Sequence, residues 1–106
     1  MGFLDFLLGP DINEGLVRFR ETEGAVLLDV RSRDEYDRGH IPGSRHISLD
    51  SIERVKTEVP DPAVPIFAYC LSGGRSSSAV SRLKGMGYRE VHNIGGINRY
   101  RGKLER

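Results

Sequence analysis

"PIFAYCLSGGRSSSAVSRLKGMGY", residues 65–88, places an apolar run, a short loop of small residues and a helix-like stripe in direct succession. The run "PIFAYC" (65–70) is nearly continuous in apolar residues, the pattern of a parallel strand covered on both faces. Beyond the loop, Ala79, Val80, Leu83 and Met86 recur at helical spacing, with Gly87 where a C′ glycine belongs. The only cysteine of the chain, Cys70, stands where the strand gives way to the loop. A strand, a tight turn and a helix in this order form a piece of a parallel α/β unit.

The rest of the chain repeats the alternation. "AVLLDV" (25–30) has the same buried-strand pattern, and "HISL" (46–49) and "EVHNI" (90–94) read as shorter strands. Helices are predicted over 13–22, with Asn13 as N-cap, and over 50–59, with Ile52, Val55 and Val59 on one face and Pro60 as the stop. "SRDE" (32–35) has the capping-box form, Ser32 capping and Glu35 reaching back. This order predicts an α/β domain with a mostly parallel sheet. In such sheets ligands bind beyond the carboxyl ends of the strands. If the two long strands are neighbours, Asp29, Arg31 and Cys70 come to one rim.

With 106 residues, 38% hydrophobic and 29% charged, the chain suits one globular domain over residues 10–106. Residues 1–9, "MGFLDFLLG", are expected to form a separate apolar arm packed on the domain; a dimer contact or a weak membrane-surface anchor are the other readings. That stretch is too short to span a bilayer and has neither the basic n-region of a signal peptide nor the Ser or Thr of a myristoylation motif. One cysteine excludes an intramolecular disulfide, and a lone thiol suits a reducing compartment, so a cytoplasmic location is expected. Charge is unevenly spread: residues 1–64 carry 8 Lys and Arg against 13 Asp and Glu, and residues 65–106 carry 8 against 2. An anion approaching the cysteine loop meets the basic half, although much of that charge also reads as solvated helix surface. No nucleic-acid-binding signature accompanies it.

A thiol reacts as its thiolate, and lowering its pKa by about two units takes roughly 2.7 kcal/mol. A helix N-terminus supplies about 0.3–1 kcal/mol, and up to about 2 when partly buried. Amides aimed at the sulfur or a nearby cation must supply the rest. Gly73 and Gly74 let successive N–H groups curl into an anion-binding nest, Ser72 and Ser76 add hydroxyls, and Arg75 is the one cation in the loop. Arg75 either faces the anion or points outward. The alternative is an inert cysteine before an ordinary glycine turn. His40, His46 and His92 read as structural, no metal-ligand spacing exists, and "GGRSS" lacks the ending of a nucleotide P-loop.

The chain resembles the rhodanese-like sulfurtransferase family across residues 12 to 100. The resemblance is carried by "LLDVRSRDEYDRGHIPGSRHISL" (27–49), by "YCLSGGRSSSAVSRLKGMGY" (69–88) and by "VHNIGGINRY" (91–100). It implies a doubly wound α/β domain with helices on both faces, and transfer of sulfane sulfur through a persulfide on Cys70. Leu71, Ser72, Gly73, Gly74, Arg75 and Ser76 would then bind substrate, with Asp29 and Arg31 as supporting residues. No cofactor or metal is implied. The partners implied are a small anionic donor such as thiosulfate, a thiol or cyanide acceptor, or a protein persulfide. Four residues separate Cys70 from Arg75, one fewer than in the related dual-specificity phosphatases, so a phosphatase or arsenate reductase is the lesser reading. Leu71 departs from the basic residue that many family members carry after the cysteine, which favours an apolar donor or a protein persulfide. A non-catalytic binding or sensing module is the remaining alternative.

Overall fold

Four parallel strands in the order β2-β1-β3-β4 form the centre of the computed structural model, which describes residues 9–106. The chain runs α1 (Ile12–Glu21), β1 (Val26–Asp29), α2 (Arg33–Arg38) and β2 (Arg45–His46). A 3₁₀ turn (Leu49–Arg54) leads into α3 (Val55–Glu58), then β3 (Ile66–Cys70), α4 (Gly74–Gly85), β4 (Val91–Gly96) and a last 3₁₀ turn (Ile97–Arg99). The arm expected over residues 1–9 lies outside the described residues apart from Gly9.

Side chains alternate across each strand, and this period of two divides the core. Val26, Leu28, Ile66, Ala68 and Cys70 face Ala79 and Leu83 of α4 together with Ile52 and Val55. Leu27, Phe67 and Tyr69 face the other way, onto Ile12 and Leu16 of α1 and onto Ile41 and Ile94. Helices therefore cover both faces of the sheet, the α/β arrangement expected. β1 and β3 are direct neighbours, with Asp29 opposite Tyr69. The two polar strand ends thus meet at one rim.

Three local expectations are corrected. The N-cap of α1 is Asp11, whose carboxylate accepts the Asn13 N–H at 3.0 Å; Asn13 lies inside the helix. The segment 50–59 is not one α-helix, because Ser51 leaves helical geometry (φ −116°, ψ 25°) and the chain winds as 3₁₀ over Leu49–Arg54. Ile52, Val55 and Val59 are still buried, since an i, i+3 stripe stays on one face of a 3₁₀ turn. The strand expected over 46–49 is limited to Arg45 and His46, and Ser48 already stands at the N-cap position of the following turn, without a side-chain capping bond. By contrast the Ser32–Glu35 capping box is present, and Gly87 takes a positive φ of 102° after α4.

Candidate active site

Cys70 ends β3 on the face packed against α4 and is 1% exposed. Its Sγ nevertheless does not lie among carbons alone. The Gly73 N–H donates to it at 3.0 Å and the Ser76 N–H at 3.4 Å, with the Ser76 Oγ also at 3.4 Å. Burial pushes the thiol pKa up, but the Ser76 hydroxyl and the amides of Ser76, Gly73 and Ser72 outweigh it, and the net direction is down. The Ser76 hydroxyl has one proton and also stands 2.7 Å from Asn93 Oδ1. It can serve only one acceptor at a time, so the backbone amides carry the steadier part of the stabilisation.

Backbone geometry makes this cradle. Gly73 has φ +107°, a left-handed conformation that other residues adopt only at a cost, and it turns the chain from the end of β3 into α4. Gly96, at the end of β4, has no room for a Cβ, because the Leu71 carbonyl and the Ser72 Cα press against it. β4 also carries a bulge: Ala68 pairs with Asn93 but Tyr69 with Gly95. The bulge lets Asn93 reach the loop, where its Nδ2 donates to the Gly73 carbonyl at 3.1 Å and its Oδ1 accepts the Gly95 N–H at 3.0 Å.

A family model described as the rhodanese-like domain matches residues 13–103. The chain belongs to the rhodanese-like family. It is 35% identical over 82 residues to the uncharacterized protein YqhL of Bacillus subtilis, covering 76% of this chain and 64% of YqhL. It is 38% identical over 71 residues to the thiosulfate sulfurtransferase PspE of Escherichia coli, covering 66% of this chain and 68% of PspE. A solved structure of a rhodanese with anions from E. coli matches with a TM-score of 0.71 at 33% identity, over 76% of this chain and 96% of that one. The chain spans less than two thirds of the length of YqhL.

In this rhodanese-like domain the Arg75 guanidinium is paired with Glu35 and makes no hydrogen bond to the sulfur, though its charge still acts on Cys70. Its Nη1 and Nη2 donate to the two carboxylate oxygens of Glu35 at 2.6 and 3.0 Å. Chiefly through these hydrogen bonds, the Arg75 guanidinium holds the Glu35 carboxyl down at about 2. Leu71, Ser72 and Gly74 are exposed, and Ser76 is buried. Asp29 lies on the face of the sheet opposite Cys70. Its carboxylate accepts from Arg31 Nε at 3.0 Å and Nη2 at 2.6 Å, and Arg31 Nη2 also reaches the Gly39 carbonyl at 2.7 Å. The pair braces the turn after α2 and makes no hydrogen bond to the cysteine loop.

Glu35 and Asn93 were not singled out as site residues from the sequence. Glu35 carried a signal only as half of a capping box, and Asn93 only as one polar residue in a strand. His40, His46 and His92 bond Tyr36, Arg31 and Glu90, and none of them bonds Sγ. Among the described residues no group of His, Cys, Asp and Glu could hold a metal ion, and no helix is long and apolar enough to cross a membrane.

Proposed function

We propose that this domain transfers sulfane sulfur through a persulfide on Cys70. The observation that supports the reading is the convergence of loop N–H groups on one buried sulfur. The Cys70 thiolate attacks the outer sulfur of a donor such as thiosulfate. The donor S–S bond breaks, sulfite leaves with the electron pair, and a terminal sulfur anion remains on Sγ. The cradle offers that anion dipoles already oriented, the physics of an oxyanion hole. Cyanide or a thiolate then attacks the terminal sulfur, and the Cys70 thiolate is restored. The two half-reactions imply ping-pong kinetics. The similarity to PspE supports thiosulfate as one donor. The engagement of Arg75 by Glu35 speaks against a phosphatase, which would need that guanidinium for the phosphate oxygens.

The test is intact mass spectrometry after incubation with thiosulfate and desalting. Wild-type protein is expected to gain one sulfur atom, and Cys70→Ser none. Sulfur on the serine variant would refute the nucleophile assignment. One observation favours a second reading, a binding or sensing module: Cys70 is almost fully covered. Failure to take sulfur from thiosulfate, from an organic persulfide and from polysulfide would establish that reading instead.

A further inference from the structure

Pro10, Gly15, Val17 and Ile94 line a groove of about 510 Å³ where α1 meets β4. Gly15 lets the helix lie flush on the strand, since a Cβ there would run into the Ile94 side chain. Val17 is 49% exposed, one of three large apolar side chains so exposed among the described residues. A lone exposed valine is ordinary, but this one stands in a concave apolar surface. The charges in the groove cancel. Glu14 and Arg18 carry opposite signs, and the side chains of both make no hydrogen bond or ion pair with any described residue. Asp11, the remaining charge, is offset by Arg99 and Arg101. The groove therefore favours neither an anion nor a cation and suits an apolar occupant.

The chain itself carries such an occupant. Residues 1–8 immediately precede the groove, and Phe3, Leu4, Phe6, Leu7 and Leu8 make them apolar, with Asp5 the one charged side chain. Their root is fixed at the groove. Pro10 lines it, and the Pro10 carbonyl presses on Gly95 so closely that no Cβ would fit there. Gly9 has φ +77°, a turn conformation that other residues adopt only at a cost, so the chain bends just before it reaches Pro10. Reach is ample. From Ile12 to Arg18 the helix advances about 9 Å, whereas eight extended residues span about 26 Å. A segment on so short a tether is present at an effective concentration in the millimolar range, which outcompetes a more dilute free partner of equal affinity.

We propose that the groove between α1 and β4 is the docking site of this chain's own segment 3–8. The inference is independent of the sulfur chemistry. The docked segment completes the burial of Val17 and covers apolar side chains that would otherwise face water at both surfaces.

The test is limited chymotrypsin digestion of the full chain, with cleavage after Phe3 and Phe6 as the readout. Cleavage of a docked segment follows the small population that is open at any moment. Val17→Asp sets a charge in the groove and should speed this cleavage about tenfold. Arg20→Asp, on α1 but outside the groove, should leave it within about twofold. Cleavage after Phe67 and Tyr69, both buried, reports global unfolding and should stay slow in every protein. Equal rates for the wild type and Val17→Asp would overturn the proposal. If Val17→Asp fails to fold, a measurement on the wild type decides alone. NOE cross-peaks are expected there from the Val17 methyls to ring protons of Phe3 or Phe6. In a mixture of isotope-labelled and unlabelled chains they should arise only within one chain. Cross-peaks between chains would assign the groove to the segment of a second copy, and a lack of cross-peaks would leave it to another partner; either result overturns the proposal.

Discussion

β1 and β3 are hydrogen-bonded neighbours whose carboxyl ends are finished in opposite ways. β1 closes on Asp29, a fully buried carboxylate clamped by Arg31, so two permanent charges cancel each other. β3 closes on Cys70, a single latent charge whose hydrogen-bond donors are N–H dipoles and a hydroxyl. A buried permanent charge requires a permanent partner, because leaving it alone costs several kcal/mol. An anion that comes and goes is better met by dipoles, since these leave no orphaned charge behind when the sulfur is neutral. The first strand end builds architecture. The second is equipped for chemistry.

The largest effect expected comes from breaking the permanent pair. Asp29→Ala strands the Arg31 guanidinium in the interior and should destabilise the fold by about 3–5 kcal/mol in urea melts. A loss under about 1 kcal/mol would mean that the Gly39 carbonyl and water suffice for Arg31. Asn93→Ala acts on the other strand end, releasing the Gly73 carbonyl and the Ser76 hydroxyl. The freed hydroxyl can then turn to Sγ, but loss of the brace on Gly73 misaims the amides. This larger effect should make Cys70 ionise at higher pH, so that alkylation by iodoacetamide at neutral pH slows about two- to tenfold. An unchanged rate would show that Gly73 holds its conformation without the asparagine.

The smallest effect belongs to the pair that links the two ends, Glu35 with Arg75. Its side chains are 25% and 38% exposed, so solvent screening holds its worth to about 0.5–1 kcal/mol. The Glu35 carboxyl falls from its usual 4.5 to about 2 on folding, so this stabilisation is complete above pH 4.5 and is lost as the pH falls through about 2. Glu35→Gln should flatten that acid limb of the stability profile. It should also let Arg75 turn toward the sulfur and make Cys70 ionise at lower pH. An unaltered limb would remove the pair from the stability account.

Much of this was legible in the chain because it rests on local chemistry. The apolar runs at 25–30 and 65–70, the small residues after Cys70 and the stripe from Ala79 to Met86 each specify their element from nearby residues, and each element formed where expected. The errors occur where distant contacts override a local signal. Asn13 has the side chain of an N-cap, but it is drawn to the far end of the chain, donating to the Arg99 carbonyl and accepting the Arg101 N–H, and Asp11 takes the cap. The strand-end placement of Asp29 beside Cys70 was visible. That they point to opposite faces follows only from the register of β1 against β3. Glu35 and Asn93 reach the loop across 40 and 20 residues of sequence, a distance at which no local pattern speaks.

The close fit of Gly96 under Leu71 and Ser72 has a consequence for the order of events during synthesis. The parts that shape the cradle from outside, Asn93 and Gly96, are translated well after the cysteine they serve. While the nascent chain is shorter, β3 and α4 can emerge, but the loop between them has no strand to rest against, and the Gly73 carbonyl lacks its Asn93 donor. Docking of β4 adds the Asn93 and Gly96 contacts that hold the loop in place around the sulfur. The surroundings of the sulfur are thus completed only with the last strand of the sheet.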